Sequence, residues 1–169
     1  MSMVHFLAVP VTDQRAQSLV RQYFADRSAS FPASQGGYSV VMPEPVRFTP
    51  PNGVFLLLTD TDADIVDESD AFGCGGIRRL ATVAGEPVRF EVKHLWVRPQ
   101  VRGTGAGRAL LAELERRAIA FGAAEAVLDT NASLKAADRL YRSSGYREIP
   151  PYNDNSNATT WFAKTLDAG

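Results

Sequence analysis

Three glycines stand at every second position of one short segment, and an arginine precedes the first of them. The segment is RPQVRGTGAGRALL, residues 98–111. Glycine has no Cβ, so a ligand can approach the backbone amides closely, and the first amides of a helix lack internal partners and carry the positive end of its dipole. An apolar strand that ends at Val97, followed by this loop and a helix, therefore predicts a binding site for a phosphate group. The loop residues that would form the site are Arg102, Gly103, Thr104, Gly105, Ala106, Gly107 and Arg108.

The spacing of these glycines excludes two common nucleotide-binding loops. A dinucleotide-binding loop needs glycine or alanine five positions after its first glycine, and that position, counted from Gly103, is Arg108. A P-loop ends in Gly-Lys followed by Ser or Thr, whereas this loop ends in Gly107, Arg108 and Ala109. The pattern that remains is Arg-x-x-Gly-x-Gly, formed by residues 102, 105 and 107.

Hydrophobic periodicity predicts strands and helices on both sides of this loop. The predicted strands cover residues 3–9, 54–60, 72–80, 88–97, 124–130, 146–150 and 159–166. The predicted helices cover residues 13–27, 107–121 and 133–144, with Thr12 or Asp13 as the cap of the first one. Residues 28–53 are predicted to form a long irregular loop, and the acidic residues 60–70 a solvated connector. This order predicts a mixed sheet with helices on its faces, in a single domain over residues 1–169.

The composition is that of an ordinary globular protein and excludes several classes of function. A net charge of −1 leaves no excess of basic residues for binding nucleic acid. The single cysteine, Cys74, excludes an intrachain disulfide and a cysteine-cluster metal site, and its neighbours predict a buried thiol. No apolar run reaches the roughly 18 residues of a membrane span, and the N-terminus lacks the cationic start of a signal peptide. We therefore expect a cytoplasmic protein that binds neither nucleic acid nor a membrane.

Three segments together resemble the GNAT (N-acetyltransferase) superfamily. The frame V-x-P-x-x-R-G-x-G-x-G, which begins at Val97, is similar to the loop that binds the pyrophosphate of coenzyme A in that family. The segment AADRLYRSSGY, residues 136–146, resembles the signature of the family's fourth helix. The segment FEVKHLWV, residues 90–97, resembles the central strand of a subgroup that has a glutamate at the position of Glu91. The resemblance covers about residues 73–149.

The resemblance implies a fold and an activity. The fold is the α/β acyl-CoA N-acyltransferase fold, a mixed and mostly antiparallel sheet of about seven strands that is splayed between strands 4 and 5 and flanked by about four helices. The activity is transfer of an acetyl group from acetyl-CoA to a primary amine of a small molecule, an amino-acid derivative or a protein, in a direct ternary complex. The implied contacts to acetyl-CoA are Leu95, Trp96, Val97, the loop residues 102–108 and Asn131. Many members have asparagine where this chain has Leu134, so Asn131 or Ser133 is predicted to cap the third helix of this chain instead.

The same resemblance implies acid–base roles for two side chains. A primary amine with a pKa of about 10.4 is protonated at pH 7, and removing its proton costs roughly 4–5 kcal/mol. Glu91 is the expected base, the alternative being an exposed glutamate paired with Lys93 or an arginine. Tyr141 is the expected acid that protonates the departing thiolate, the alternative being a core tyrosine with a hydrogen-bonded hydroxyl. A backbone N–H near Val97 is the expected donor to the thioester oxygen.

His94 is an alternative candidate for the base, because an imidazole can accept a proton near neutral pH. Strand alternation places His94 on the opposite face from Glu91, together with Phe90, Val92 and Trp96. A single histidine among such neighbours is typical of a packed core residue, and this is the role that we predict for it.

The sequence leaves the acceptor and the assembly open. The loops at residues 28–53 and 151–158 are expected to border the acceptor site, and the candidate residues there are Tyr38, Phe48, Tyr152 and Asn153. Two other functions fit the same motifs: a non-catalytic sensor or interaction domain that binds coenzyme A, and a toxin-like acetyltransferase of aminoacyl-tRNA. The second of these needs a basic surface, and the sequence shows no such excess. A homodimer is also compatible with the sequence.

Overall fold

A computed structural model of the chain describes residues 3–60, 67 and 69–168. The strands are β1 His5–Ala8, β2 Gly53–Thr59, β3 Ala71–Arg79, β4 Arg89–Val97, β5 Glu125–Thr130, β6 Arg147–Ile149 and β7 Thr160–Thr165. The α-helices are α1 Gln14–Ser30, α2 Ala106–Ala120 and α3 Lys135–Ser143. Most of the acidic connector predicted at residues 60–70 lies outside the described residues.

The strands form one seven-stranded sheet in the order β1-β2-β3-β4-β5-β7-β6. Every neighbouring pair is antiparallel except β4 and β5, which are parallel. The predicted mixed sheet is therefore confirmed. The described residues contain three α-helices where the resemblance implies about four, because the long loop after α1 forms only two short 3-10 helices, Ala33–Gln35 and Pro45–Phe48.

Two hydrophobic cores lie on the two faces of the sheet. Strand β2 is buried along its whole length, so its residues alternate between the cores. Val54 and Leu56 of β2 pack in the first core with α2, which contributes Leu110, Leu111 and Leu114. Phe55 and Leu57 of β2 pack in the second core, together with residues of α1. Helices α1 and α2 thus pack on opposite faces of the sheet, and β4 lies between them.

Three helix ends agree with the predictions: the start of α1 and the ends of α2 and α3. Asp13 caps α1, because its side chain accepts a hydrogen bond from the backbone N–H of Arg15 over 2.9 Å. Gly122 follows α2 with a φ of 95°, and Gly145 follows α3 with a φ of 93°. These left-handed conformations end both helices at glycine, where the sequence predicts the ends.

Strand β4 contains a bulge. In its register with β3, Lys93 lies opposite Gly76, whereas Trp96 lies opposite Cys74. One residue of β3 therefore faces two residues of β4, His94 and Leu95, and His94 has a φ of 57°.

The bulge overturns the predicted position of His94. Phe90 and Val92 pack in the first core, so Glu91 faces the other side of the sheet. After the bulge the alternation is reversed, and Trp96 packs in the second core. The ring of His94 contacts the rings of that side too, so His94 and Trp96 share a face with Glu91. The prediction that His94 and Glu91 lie on opposite faces was wrong because it assumed an uninterrupted strand.

Strands β4 and β5 separate soon after they begin to pair. Their register runs only from Arg89 opposite Glu125 to Glu91 opposite Val127. Both strands then continue, β4 to Val97 and β5 to Thr130, without further pairing to each other. This is the splay between strands 4 and 5 that the resemblance implies, and it opens the centre of the sheet.

Candidate functional site

The glycine loop presents an open backbone at the beginning of α2. Gly103 has a φ of 79° and Gly105 a φ of 90°, a left-handed region that favours glycine. Gly105 is the N-cap of α2 and has no side chain to bond the first amides of the helix. Apart from the glycines themselves and their chain neighbours, no atom of the described residues lies within 4 Å of the position that a Cβ would take at either glycine, so a ligand can approach both of them. The loop thus has the geometry of the predicted anion site.

The loop forms one wall of a groove with a volume of about 1020 Å³. The end of β4 and one face of α3 complete the walls. The structure brings eight predicted contacts to acetyl-CoA together in this groove: Leu95, Trp96, Val97, Arg102, Gly103, Gly105, Gly107 and Arg108. Thr104 and Ala106 belong to the same loop but are not on the groove wall, since the Thr104 hydroxyl donates to the Val101 carbonyl and Ala106 is buried.

Two arginines frame the loop. Arg102 donates from Nε to the Val97 carbonyl over 3.1 Å and from a terminal nitrogen to the Asp26 carboxylate over 2.9 Å. Asp26 also accepts a hydrogen bond from the indole N–H of Trp96 over 3.0 Å. Arg108 donates to the hydroxyl of Ser143 at the end of α3. Both guanidinium groups are thereby held at the wall of the groove.

Asn131 does not lie on this groove. It is buried, and its amide nitrogen donates to the Gln35 side chain over 2.7 Å and to the Asn157 carbonyl over 3.1 Å. Its side-chain oxygen accepts from the Ser133 N–H, which closes a turn ahead of α3. The N-cap of α3 is Leu134, without a side-chain cap, so the prediction that Asn131 or Ser133 caps this helix was wrong.

A second cavity of about 330 Å³ adjoins the groove. The two spaces share five wall residues: Arg27, Leu95, Ser133, Leu134 and Tyr141. The walls of the smaller cavity come from α1, the segment 38–44, the centre of β4, the end of β5 and the β6–β7 loop. Of the predicted acceptor residues, Tyr38 and Asn153 are on its wall, whereas Phe48 and Tyr152 lie outside it. Asn131, which was predicted to contact acetyl-CoA, is on this wall too.

Tyr141 stands where the two spaces meet. Its ring is 8% exposed and packs 6.0 Å from the ring centroids of both Tyr146 and Phe162. Its hydroxyl forms no hydrogen bond within the described part of the chain. Burial raises the pKa of Tyr141, so the hydroxyl keeps its proton at neutral pH. A protonated and unengaged hydroxyl at this junction is able to donate a proton to a group in either space.

Glu91 is buried in a network of side chains behind the cavity wall. One of its oxygens accepts from Arg78, at 3.0 Å from Nε and 2.8 Å from a terminal nitrogen. The other accepts from the Tyr152 hydroxyl over 2.7 Å and lies 3.8 Å from Lys93 Nζ. The side chain is 1% exposed, so the glutamate is paired with an arginine as in the predicted alternative but is not exposed. Arg78 and Lys93 lie on the cavity wall, and Glu91 does not.

His94 lies on the wall of the smaller cavity, with its ring packed against aromatic neighbours. Its ring centroid lies 5.5 Å from that of Tyr23, 5.6 Å from that of Phe24 and 5.9 Å from that of Phe48. Burial, reinforced by the Lys93 cation, lowers the pKa of His94 to about 3. The imidazole is therefore neutral at pH 7, as expected of a packed histidine, and is too weak a base to accept a proton from an ammonium group.

This lowered pKa predicts a loss of stability in mild acid. Because the unfolded chain protonates this histidine near pH 6.5 and the folded chain only near 3, the unfolded state binds more protons between these values. Lowering the pH from 7 to 5 should therefore decrease the free energy of unfolding, by about 2 kcal/mol from His94 alone. The variant His94→Asn, which tolerates the left-handed backbone, should show a pH dependence that is weaker by this amount. Urea unfolding of both proteins at pH 7 and 5 measures the difference, and equal slopes would contradict the assignment.

The backbone of β4 directs one N–H group into the splay. The backbone N–H of Arg98 donates to the carbonyl of Phe72 in β3. Since the N–H groups of adjacent strand residues point to opposite sides, the N–H of Val97 points away from β3 and toward the gap. The Val97 carbonyl points the same way, because it accepts from Arg102 Nε. This is the position that the sequence predicts for a donor to the thioester oxygen.

The sequence analysis missed one charged pair of the site. Lys93 Nζ lies 3.1 Å from the Asp129 carboxylate, which also accepts from Asn153 over 2.6 Å and from Asn155 over 3.1 Å. The carboxylate is 5% exposed and lies on the wall of the smaller cavity. The position of Asp129 at the carboxyl end of β5 was the one indication in the sequence that it belongs to the site, because the ends of the two splayed strands face one another.

The remaining findings concern Cys74, metal clusters and membrane-spanning helices. Cys74 is a free thiol at 0% exposure, as predicted, and burial raises its pKa to about 12. The described residues contain no cluster of histidine, cysteine and carboxylate side chains suited to a metal ion. None of the described helices combines the length and the apolar character that crossing a lipid bilayer requires.

Comparison with known proteins gives one consistent result. The model of the acetyltransferase (GNAT) family matches residues 14–146. An uncharacterized N-acetyltransferase of Schizosaccharomyces pombe is 33% identical over 109 residues, which are 64% of this chain and 61% of that protein. The chain thus spans about three fifths of the length of this curated relative.

Solved structures agree with the fold. A crystal structure from Klebsiella pneumoniae, assigned as an acyl-CoA N-acyltransferase, superposes with a TM-score of 0.72 at 22% identity, covering 99% of this chain and 100% of that one. A chain of the NatC complex, solved with a Gag peptide and CoA, superposes with a TM-score of 0.63 at 15% identity, covering 97% and 99% of the two chains. With a family model that matches most of its length, the chain belongs to the GNAT family of acetyltransferases.

Proposed function

We propose that the protein transfers an acetyl group from acetyl-CoA to a primary amine in a direct ternary complex. The observation that carries this proposal is the meeting of two spaces at Tyr141, a long groove along the glycine loop and a smaller cavity across the splay. A donor in the groove and an acceptor in the cavity would touch at one point. Proximity of this kind makes transfer effectively unimolecular.

The groove suits acyl-CoA better than other nucleotides. The open amides after Gly103 and Gly105, together with Arg102 and Arg108, supply donors and positive charge for a diphosphate. The apolar side chain of Leu95 and the edge of α3 suit the uncharged pantetheine arm that follows it. The CoA present in the NatC structure, which shares this fold, supports the same assignment.

The residues at the junction supply the remaining chemistry. The N–H of Val97 would stabilise the negative charge that develops on the thioester oxygen. Tyr141 would donate its proton to the departing thiolate, whose thiol has a pKa of about 8.5 by analogy with cysteine. Glu91 would accept the proton of the amine, and because it lies behind the cavity wall, it would do so through an intervening water molecule.

A thiol-release assay tests the proposal. Purified protein is mixed with acetyl-CoA and a panel of primary amines, and free thiol is followed with a chromogenic disulfide. We expect release that depends on both the protein and the amine. Tight acetyl-CoA binding without release from any amine would contradict the proposal and favour a coenzyme A-binding sensor.

A further inference from the structure

The smaller cavity is bordered by two loops that are hydrogen-bonded to each other. The backbone N–H of Ser39 donates to the Asn157 side-chain oxygen over 2.9 Å, and the Asn157 side-chain nitrogen donates to the Ser39 carbonyl over 2.7 Å. We call this pair of hydrogen bonds the Ser39–Asn157 clasp. It joins the loop after α1 to the loop between β6 and β7, which are 118 residues apart in sequence. Both residues lie on the cavity wall, so the clasp makes this part of the wall continuous.

A second contact holds the same loop nearby. The buried amide of Asn131, at the end of β5, donates to the Gln35 side chain and to the Asn157 carbonyl. The loop after α1 is thus tied to the far side of the cavity at both Gln35 and Ser39. An extended polypeptide that passed between the two loops would have to break these bonds.

The volume of the cavity agrees with a small ligand. Sites for small molecules typically enclose about 300–1,000 Å³, and this cavity, at about 330 Å³, is at the lower end of that range. The cavity is therefore large enough for the body of a small amine.

Several aromatic rings lie together on one part of the cavity wall, beside polar side chains. Phe31 packs against Tyr38 with ring centroids 5.5 Å apart, and Phe24 contacts both Tyr38 and His94. Tyr23 continues this wall on the other side of His94. These rings favour a flat or apolar body in the ligand.

The basic groups on the wall are neutralised by neighbours. Lys93 is paired with Asp129 at 3.1 Å and Arg78 with Glu91 at 2.8 Å. Arg27 lies 3.9 Å from Asp26 and above the ring of Tyr23. The wall therefore offers aromatic faces for the body of a ligand, and its Lys93 and Arg78 are each paired with a carboxylate.

We infer that the acceptor is a small primary amine with a ring-bearing or otherwise apolar body, and that the Ser39–Asn157 clasp excludes polypeptide acceptors. This inference rests on the proposed acetyl transfer and narrows its substrate class. Small amines enter the cavity, and their nitrogen reaches the junction at Tyr141.

The test compares three probes with acetyl-CoA as donor: 2-phenylethylamine, spermidine and a seven-residue peptide with a free N-terminus. We expect kcat/KM for 2-phenylethylamine to exceed that for each of the other two by about 100-fold. In Asn157→Ala, which removes both bonds of the clasp, the ratio of peptide to 2-phenylethylamine should rise by about tenfold. The matched control is Asn52→Ala, because Asn52 is exposed, lines neither space and takes no part in the clasp, and its ratio should equal that of the wild type.

The outcomes separate this inference from the proposed function. Preference of the wild-type protein for the peptide or for spermidine, or an unchanged ratio in Asn157→Ala, would overturn the inference and leave acetyl transfer standing. Absence of thiol release with all probes and with the wider amine panel would overturn acetyl transfer itself. Binding of 2-phenylethylamine, measured by calorimetry with CoA present, gives a readout that does not need turnover. We expect binding in the wild type, and its absence would also overturn the inference.

Discussion

Saturating acetyl-CoA should raise the melting temperature of the wild-type protein, and Arg102→Glu should remove almost all of this rise. A ligand that binds only the folded state at 100 times its Kd stabilises it by about 2.7 kcal/mol. For a domain of this size, 1 kcal/mol shifts the melting temperature by about 2–4 °C, so the expected rise is roughly 5–11 °C. NADH, whose loop needs the glycine spacing that this chain lacks, should cause no rise at the same concentration.

The effect of Arg102→Glu follows from the place of this side chain on the groove wall. The arginine is held beside the glycine loop by Asp26 and the Val97 carbonyl, where a diphosphate would meet its guanidinium group. Replacing it with a carboxylate removes charge-assisted hydrogen bonds and adds repulsion, so Kd should rise by at least about 100-fold. At the same ligand concentration the stabilisation then falls to about 0.4 kcal/mol, or roughly 1 °C.

The control for this variant makes the same change of charge elsewhere. Arg21 is exposed on α1 and lines neither the groove nor the smaller cavity. Arg21→Glu should keep the full shift. Each shift is measured against the ligand-free form of the same variant, because loss of the Asp26 pair lowers the stability of Arg102→Glu by itself. A full shift in Arg102→Glu would contradict the placement of the diphosphate.

The parts of the site that the sequence predicts are those formed by neighbouring residues. The glycine loop, its strand and its helix are continuous in sequence, so their residue types carry the geometry directly. The two glycines with positive φ and the open space around them agree with this interpretation. The splay of β4 and β5 was implied by the resemblance and not by any residue pattern, because pairing between strands depends on the whole sheet.

The bulge in β4 shows where the periodicity argument fails. Alternation assigns each residue of FEVKHLWV to a face, and one extra residue reverses the assignment of everything after it. The signal was weak, since histidine tolerates a positive φ without requiring it. Gly75, the single residue of β3 that faces the bulge, was visible as a glycine but not as the partner of His94.

Contacts between distant segments account for the remaining differences. Glu91 was expected beside the reacting groups, and the structure surrounds it with Arg78 from β3 and Tyr152 from the loop before β7. The Ser39–Asn157 clasp likewise joins two loops that sequence analysis could name only as borders of the acceptor site. A single sequence contains both partners of each pair but nothing that shows that they meet.

Tyr141→Phe should lower kcat by at least about 100-fold while leaving the affinity for acetyl-CoA and the stability of the protein nearly unchanged. Loss of a general acid typically costs a factor of about 10²–10⁴ in rate. The tyrosine hydroxyl has no hydrogen bond within the described residues, so its removal breaks no contact of the folded state. Single-turnover measurements of thiol release, with the amine in excess, give the rate constant of the transfer step without a contribution from product release.

Tyr146→Phe is the matched control, and it should show the opposite pattern. The Tyr146 hydroxyl is buried and donates to the Glu115 carboxylate over 3.0 Å, away from both spaces of the site. Its removal should cost about 1–3 kcal/mol in the free energy of unfolding and leave kcat within about twofold, since it touches none of the reacting groups. If both variants lost stability and neither lost turnover, Tyr141 would be a packing residue like its neighbour. Loss of turnover in Tyr141→Phe alone would identify its hydroxyl as the proton donor at the junction.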